Sequence, residues 1–408
     1  MKKQTPSPPI RGSLISDLKQ LPTPFYLLIL GTFINRFGHF VIPFLVIYVD
    51  QLGFPPSVTG YSLAAFGLGG LCASLIGGYL ADRIGRKPTL LISCFGAAAA
   101  MLILSTARTV PTLVLGTLLS GLMTCIYYPA SSSLIADLIP KKLRLRAYAV
   151  QRFAINLAFG LGMCTAGLMA SKSFFWLFIA DASTTIVLGL IILFGLKRGI
   201  GKKAVGKAGW GQAIPVIAKD GNFLRAMVAS FFVAVIFWQT SSTLGLQVIG
   251  GSGLSEKTFG FILGLNGLMI VFFELPLTNW TRRFKPQRMI ALGYSLVGLS
   301  LALLAINASL PMLITAIVIL TIGEMIALPV NSSYVAELAP ENLRGRYMGV
   351  MGLSWNTAVG IGPLIGLWIF AKSPEALWTL CGIVGLISSW IILINPKKSK
   401  TAYSTSTQ

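Results

Sequence analysis

Acidic side chains and histidine are the scarcest chemical groups in this sequence. Its 408 residues include 12 Asp and Glu together and a single His, and charged residues of either sign make up only 11%. Soluble globular domains contain about 25% charged residues, so the composition excludes an ordinary soluble protein. There is also no HExxH, no GxSxG and no phosphate-binding glycine loop. We therefore predict that the protein is not an enzyme and uses no ATP, with a membrane enzyme or a passive channel as the remote alternative.

Cysteine is also rare, and its placement argues against a metal site. The five cysteines fall inside apolar stretches, with no CxxC pair and no ligand-like spacing to the single histidine. We interpret them as small packing residues and predict no metal and no cofactor. The cysteines are Cys72, Cys94, Cys125, Cys164 and Cys381.

Apolar residues, in contrast, make up 54% of the chain, and the mean hydropathy is +0.77. Twelve spanning helices of about 20 residues would use roughly 240 residues and leave roughly 170 for short loops and two ends. The first apolar run is too long for a signal-peptide core, so we expect it to be retained. We predict an all-α integral membrane protein with twelve transmembrane helices, near 24–49, 58–80, 88–106, 111–135, 148–170, 174–196, 223–248, 257–280, 288–306, 310–336, 346–370 and 374–395.

Basic residues are distributed unequally between the two ends of these spans. Of the 33 Lys and Arg, nearly all lie on the side that holds both termini; the exceptions are Arg108, Lys172, Lys257 and Lys372 on the other side and Arg36 and Arg152 within spans. An excess of Lys and Arg marks cytoplasmic loops, so we predict cytoplasmic termini and a bacterial cytoplasmic (inner) membrane. Contact with anionic lipid then accounts for the net charge of +21 without nucleic acid as a partner.

The chain repeats itself at an offset of 200 residues. In the first copy the repeated positions are Pro129, Ser132, Ser133, Ala136, Leu138, Pro140, Leu143, Arg144 and Arg146, followed in register by Asn156, Ala158, Gly160 and Gly162. This predicts two six-helix halves in the same orientation, with the substrate site between them near the midplane. We place the halves at 24–196 and 223–395, joined by a flexible basic linker at 197–222, with cytoplasmic tails at 1–23 and 396–408.

A charged loop follows the second span, from Gly78 to Lys87, with the sequence GYLADRIGRK. One acid among three bases, entered through glycines, predicts a gate whose ion pairs form in one conformation and break in another. The residues of this predicted gate are Gly78, Asp82, Arg83, Gly85, Arg86, Lys87, Asp137, Arg144 and Arg146.

This string resembles the GxLaDrxGrk signature of the major facilitator superfamily, and the resemblance extends over the whole chain through the twelve spans and the repeat. It implies that Asp82 and Arg86 pair with Asp137 and with the start of span eleven, and that these contacts stabilise an outward-facing state. The second half departs from the signature, because Arg282 replaces the acid and Lys285 replaces the glycine. We therefore expect the first-half loop to dominate gating.

Three ionisable residues lie near the middle of the predicted spans: Arg36 and His39 in span one and Glu324 in span ten. Charged groups inside a membrane are costly, which makes each a functional candidate. Arg36, His39 and Pro43 are predicted to share one face of span one. A carboxylate that gains and loses a proton in a low-dielectric cavity suits proton coupling, so Glu324 is the leading candidate. The alternative is a structural pair of Glu324 with Arg36 or another group.

Asp181 in span six and Glu274 in span eight are further candidates for proton coupling or substrate contact, with structural pairing as the alternative. Arg152, near the start of span five, is predicted to extend its side chain to the membrane interface. Other polar residues either line a cavity or pack helices together: Asn35, Thr117, Tyr127, Tyr128, Trp238, Gln239, Ser242, Thr321 and Asn331.

The segment GEMIALP at 323–329, together with Asn35-Arg36-Phe37-Gly38, is similar to the drug:proton antiporter branch of the superfamily, particularly multidrug exporters of the MdtH type. The resemblance implies a role for Glu324 in handling protons and substrate. Two departures separate the chain from the branch. Thr117 stands where the branch has an arginine, and Met163 interrupts the GxxxGPxxG signature of span five.

Together these features predict a proton-coupled efflux antiporter for small amphipathic or cationic compounds, working by alternating access. The proton gradient would be its energy source, and its partners would be a small-molecule substrate, protons and membrane lipids, with the protein acting as a monomer. The alternative is a dedicated exporter of one metabolite such as a siderophore, because Arg36 and His39 suit an anionic substrate.

Overall fold

The described residues form a bundle of long helices. The computed structural model describes residues 21–140, 143–196, 210–340 and 343–394, and within them twelve helical spans are long and apolar enough to cross a membrane. The prediction of an all-α membrane protein with twelve spans is confirmed. The predicted tails lie almost wholly outside the described residues, as do 197–209 of the linker.

Most spans are single helices. Spans two to six are Pro56–Arg83, Arg86–Ser105, Val110–Leu138, Arg144–Ala170 and Phe174–Gly195, and spans eight to twelve are Glu256–Thr281, Pro286–Ala302, Leu310–Leu338, Arg344–Phe370 and Pro374–Leu393. A 3₁₀ turn, Leu303–Ala305, continues span nine.

Spans one and seven are interrupted, at equivalent positions of the repeat. Span one consists of the helices Thr23–Phe37 and Val41–Gln51, with a break at 38–40. Span seven begins as the helix Gly221–Phe237, tightens to a 3₁₀ turn at Trp238–Ser241, and ends in the short helix Thr243–Leu246 and a π-helical turn at Gln247–Gly251. The breaks lie 200 residues apart, so the repeat extends to a backbone irregularity of the kind that lines cavities in transporters.

The break in span one corrects the sequence prediction for this span. Because the first helix ends at Phe37, Arg36, His39 and Pro43 do not share a face of one continuous helix. Gly38 lies so close to the side chain of Thr184 that a Cβ at position 38 would overlap it.

Part of the predicted flexible linker is helical. The helix Trp210–Lys219 precedes span seven, and it buries Ala213 and Ile217 against the bundle. Apolar side chains four residues apart form one face of a helix, which explains why this part of the linker packs.

The two halves meet through pairs of glycines. A Cβ on Gly67 of span two would lie 2.7 Å from the nitrogen of Gly360 in span eleven. A Cβ on Gly267 of span eight would lie 2.7 Å from the nitrogen of Gly160 in span five. The repeat relates these two contacts, and small residues permit the close backbone approach by which helices associate in lipid.

The bundle has two ends, which we name by their loops. The basic face carries the described loop residues 84–85, 139–140, 282–285 and 339–340, and the opposite face carries the loops at 52–55, 171–173, 252–255 and 371–373. At the opposite face the rings of Phe44 and Phe259 meet edge to face at 5.1 Å. There Gln51 Nε2 also donates a hydrogen bond to Glu256 Oε1 at 3.3 Å. The two halves are therefore joined at the opposite face.

We expect Gly67→Ala to lower the melting temperature of the purified protein, because the added methyl group would overlap the backbone of Gly360. Overpacking of this kind costs about 1–3 kcal/mol. The matched control is Gly352→Ala on span eleven, where a Cβ would meet nothing within 4 Å. Alanine in such an open helical position gains roughly 0.5–1 kcal/mol. Equal melting temperatures for the two variants in the same detergent would contradict close packing of the halves at Gly67.

Candidate functional site

A cluster of polar side chains surrounds the break in span one. Asn35 Nδ2 donates to Thr185 Oγ1 of span six at 2.8 Å. His39 Nδ1 lies 3.8 Å from Asp181 Oδ2, and the same oxygen accepts the backbone N–H of Val41 at 3.4 Å. Sequence analysis predicted Asn35, His39 and Asp181 as separate candidates, and the fold brings them together in one place.

Asp181 accepts a hydrogen bond from the backbone at the break in span one. Val41 is the first residue of the second helix of span one, so its N–H has no partner within that helix. The carboxylate of Asp181, 97% of whose side chain is shielded from solvent, accepts this N–H from a neighbouring span. Carboxylates are favourable at helix N-termini because of the exposed N–H groups and the helix dipole. Asp181 thus accepts a hydrogen bond from a backbone N–H for which lipid offers no acceptor.

Arg36 has no carboxylate within ion-pair distance among the described residues. Its Nη2 donates to the hydroxyl of Tyr128 in span four, while its Nε is buried and makes no hydrogen bond there. A cavity of about 20 Å³ lies beside Arg36, His39, Asp181 and Tyr127, which is about the space that one water molecule needs. The first half therefore contains a partly buried cation whose Nε has unused hydrogen-bonding capacity.

The second half contains a partly buried acid. In span eight, Asn266 Nδ2 donates to Glu324 Oε2 at 2.9 Å and to Thr321 Oγ1 at 2.9 Å, both in span ten. Among the described residues Glu324 takes part in no ion pair, so the alternative of a pair with Arg36 is not what the structure shows. Oε1 of Glu324 makes no hydrogen bond to the described residues and stays available.

Asn266 is not among the residues predicted from the sequence, because its amide is not ionisable. An amide inside an apolar span at about the depth of Glu324 is the signal that would have found it.

An ion pair joins the halves between the midplane and the basic face. Arg152 of span five approaches Glu274 of span eight twice, with Nη2 2.6 Å from Oε1 and Nε 3.0 Å from Oε2. The prediction that Arg152 extends to the membrane interface is therefore wrong: a bidentate carboxylate is within reach, and such paired geometry is favourable for arginine. Ser74, which the repeat relates to Glu274, also bonds across the halves: its Oγ accepts from Asn356 Nδ2 of span eleven at 3.2 Å.

Several predicted cavity-lining residues pack helices instead. Their side-chain donors bond to the backbone or to neighbouring side chains: Thr117 donates to Leu113 O and Val114 O, Gln239 to Val235 O and Gly362 O, Ser242 to Trp238 O, Thr321 to Ile317 O and Asn331 to Ser230 Oγ. All five are buried. Tyr127 and Asn35 line the small cavity beside Arg36, and Tyr128 is 45% exposed.

The predicted gate lies at the basic face. Gly85 separates spans two and three with a φ of +98°, a conformation that favours glycine. Arg86 Nη1 donates to Ala81 O at 2.7 Å, Arg83 Nη1 to the hydroxyl of Tyr79 at 2.7 Å, and Lys87 Nζ to Leu193 O at 2.7 Å. The Arg86 bond joins the ends of spans two and three, the Arg83 bond lies within span two, and the Lys87 bond joins span three to span six.

The predicted ion pairs of the gate involve acids whose side chains the structure does not describe. Gly78 has open space around it, and Arg144 Nε donates to Ile139 O at 3.0 Å. The side chains of Asp82, Asp137 and Arg146 lie outside what the structure describes. In the second half, Lys285 has a φ of −63° where Gly85 has +98°, so the loop that lacks the signature also follows a different path.

Comparison with known proteins decides the family. The profile of the Major Facilitator Superfamily matches residues 28–255 and 227–407. The chain belongs to the Major Facilitator Superfamily. The protein is therefore a multi-pass membrane transporter of this superfamily and not an enzyme.

Relatives within the superfamily carry different names. The Na⁺, Li⁺, K⁺/H⁺ antiporter of Planococcus maritimus is 28% identical over 403 residues, covering 90% of this chain and 95% of that protein. The multidrug resistance protein MdtH of Cronobacter sakazakii is 25% identical over 380 residues, covering 88% and 91%. The uncharacterized transporter YqjV of Bacillus subtilis is 27% identical over 349 residues, covering 84% of each chain.

Solved structures show the same superfamily fold. A POT family transporter in complex with 5-aminolevulinic acid superposes with a TM-score of 0.77 at 17% identity, covering 93% of this chain and 98% of that one. The peptide transporter POT in complex with sulfate superposes with a TM-score of 0.76 at 19% identity, covering 94% and 97%. At such identities the likeness concerns the fold alone.

We expect Asp181→Ala to lower the melting temperature, because the N–H of Val41 would be left buried without its acceptor. An unsatisfied buried donor costs about 1–3 kcal/mol. Asp181→Asn keeps an acceptor oxygen and is expected to retain most of the stability. Thr165→Ala is the control, since Thr165 bonds only to the carbonyl of its own helix. A melting temperature for Asp181→Ala equal to that of the control would contradict the role of Asp181 as the acceptor for the N–H of Val41.

Proposed function

We propose that the protein is a proton-coupled efflux antiporter for small amphipathic cations, and that Glu324 is the residue at which proton and substrate compete. Two features of the chain support this. The fold is that of a transporter with sites between two halves, and one relative is named as a multidrug resistance protein.

The observation that carries the proposal is the bonding of Glu324. It lies midway along span ten, and its hydrogen-bond partner among the described residues is the neutral amide of Asn266 in place of a base. A partly buried carboxylate without a cationic partner is costly when charged, and it gains most from binding either a proton or a cationic substrate. One acid can hold one of these at a time, which is the requirement for exchange.

Asn266 positions the acid for this exchange. Its amide hydrogen fixes Oε2 of Glu324 in either protonation state, because Oε2 can serve as the unprotonated oxygen. Oε1 then takes the proton or faces the cation. Entry of a proton from outside would release the cation, and loss of that proton to the cytoplasm would restore the charge that binds the next one.

The remaining features follow the same proposal. We place the basic face in the cytoplasm of a bacterial cell, with the termini on that side, in accordance with the excess of Lys and Arg there. The structure, joined at the opposite face, then corresponds to a state closed toward the outside. We propose that the chain works as a monomer, with the proton gradient as its energy source.

We expect Glu324→Gln to abolish accumulation of a lipophilic cation driven by an imposed pH gradient in inside-out vesicles. Glutamine keeps the oxygen that accepts from Asn266 but cannot exchange a proton, so the fold and melting temperature should be preserved. Asp50→Asn, at the exposed end of span one, is the matched control and should transport normally. Gradient-driven accumulation in Glu324→Gln equal to that in the control would refute the role of Glu324.

A second candidate is antiport of monovalent cations against protons. The relative from Planococcus maritimus, named as an Na⁺, Li⁺, K⁺/H⁺ antiporter, favours it, and the same acid would serve. In the same vesicles, loaded with acridine orange and energised by a pH gradient, addition of NaCl or KCl would then restore the fluorescence within seconds. We expect no restoration by either salt; a saturable restoration that is lost in Glu324→Gln would establish this candidate in place of drug efflux.

A further inference from the structure

Spans two and four of the first half pack tightly because glycines line their contact. A Cβ on Gly69 would lie 2.6 Å from Leu122 N, and a Cβ on Gly77 would lie 2.9 Å from Pro129 Cγ. Gly121 on span four lies equally close to the backbone of Phe66. Without side chains at these positions the two helices are in backbone contact.

The second half lacks these glycines at the positions that the repeat relates to them. At an offset of 200 residues, Met269 occupies the position equivalent to Gly69, Leu277 that equivalent to Gly77, and Thr321 that equivalent to Gly121. Pro276, inside span eight, also removes a helical N–H and widens the helix locally. Larger side chains hold spans eight and ten apart where spans two and four touch.

The separation leaves an apolar groove of about 480 Å³ between spans eight and ten, which we call the 8/10 groove. Its wall on span eight runs from Met269 to Trp280, and its wall on span ten consists of Ile322 and Met325. Met325 is buried at the bottom, whereas Phe273 and Trp280 are 56% and 42% exposed at the rim. The volume is within the range of small-molecule sites.

The 8/10 groove lies next to the proposed coupling residue, although neither Glu324 nor Asn266 is among its lining residues. Met269 follows Asn266 by one helical turn, and Met325 is the residue after Glu324. The hydrogen bond between Asn266 and Glu324 therefore joins the two helices beside the groove. A molecule whose apolar part fills the groove would have its polar end near a carboxylate.

We propose that the 8/10 groove binds the apolar part of a lipophilic cation arriving from the bilayer, with its charge directed toward Glu324. This inference rests on the proposed function and adds a substrate subsite to it. Complementary charge identifies the occupant, since Glu324, the residue before the lining residue Met325, is an acid that forms no ion pair among the described residues. Methionine sulfur and aromatic faces at the wall suit a delocalised aromatic cation.

The test is binding of rhodamine 6G, a lipophilic aromatic cation, to the full chain in nanodiscs, measured by fluorescence polarisation. Met269→Trp/Leu277→Trp narrows the groove, and we expect at least tenfold weaker binding. The matched control, Phe272→Trp/Leu275→Trp, places the same side chains on the same helix at positions that are each 68% exposed and outside the groove. It should bind as the native chain does, and equal affinity in both variants would overturn the inference.

A second measurement does not depend on the folding of the groove variant. Bound rhodamine 6G should quench the fluorescence of Trp280 at the groove rim. The Trp280→Phe variant should therefore show less tryptophan quenching than the native chain. Trp368→Phe, which removes an exposed tryptophan of span eleven, should retain the quenching that is due to Trp280. Undiminished quenching in Trp280→Phe overturns the inference. So does a co-purified phospholipid that is lost from Met269→Trp/Leu277→Trp while rhodamine 6G binding is unchanged, because the occupant would then be an acyl chain.

Failure of this inference can be told apart from failure of the proposed function. Gradient-driven rhodamine 6G transport that is the same in the groove and control variants rejects the groove alone. Binding that depends on the groove in a native chain that transports nothing rejects the antiport function and leaves the groove as a cation site.

Discussion

The structure depends on one constraint: a polar group inside a membrane must find its partner within the protein. The break in span one leaves the N–H of Val41 without a helical acceptor, and the carboxylate of Asp181 reaches it from span six. At the equivalent break in span seven, Gln239 bonds to the carbonyl of Gly362 in span eleven, and its Oε1 accepts from Thr243. Two different side chains thus solve the same problem at the same place in the repeat.

Two charged side chains near the midplane keep an atom without a hydrogen bond to the described residues, and they differ in charge between the halves. These atoms are Nε of Arg36 in the first half and Oε1 of Glu324 in the second. A carrier works through groups whose partners change during the cycle, which agrees with the role proposed for Glu324. Asp181 was another candidate for such a role, and it also accepts the backbone N–H of Val41.

Divergence between the two copies of the repeat explains the rest of the asymmetry. The glycines at 67 and 267 and at 160 and 360 are kept, because both contacts between the halves need close backbones. Those at 69, 77 and 85 are replaced by Met, Leu and Lys in the second copy. The first two replacements open the 8/10 groove, and the third changes the loop at the basic face. Packing constraints thus persist between the halves and relax within the second one.

The sequence by itself determined the class of the protein, its twelve spans, its repeat and the position of Glu324 as an acid inside a span, since hydropathy and the cost of buried charge are properties of local composition. It did not reveal the break in span one, which requires Gly38 to meet Thr184 and Val41 to meet Asp181 from a span 140 residues away. Nor did it pair Arg152 with Glu274 or Asn266 with Glu324. Those partners lie on different spans, and only the packing of helices against one another decides which polar groups come within hydrogen-bonding distance.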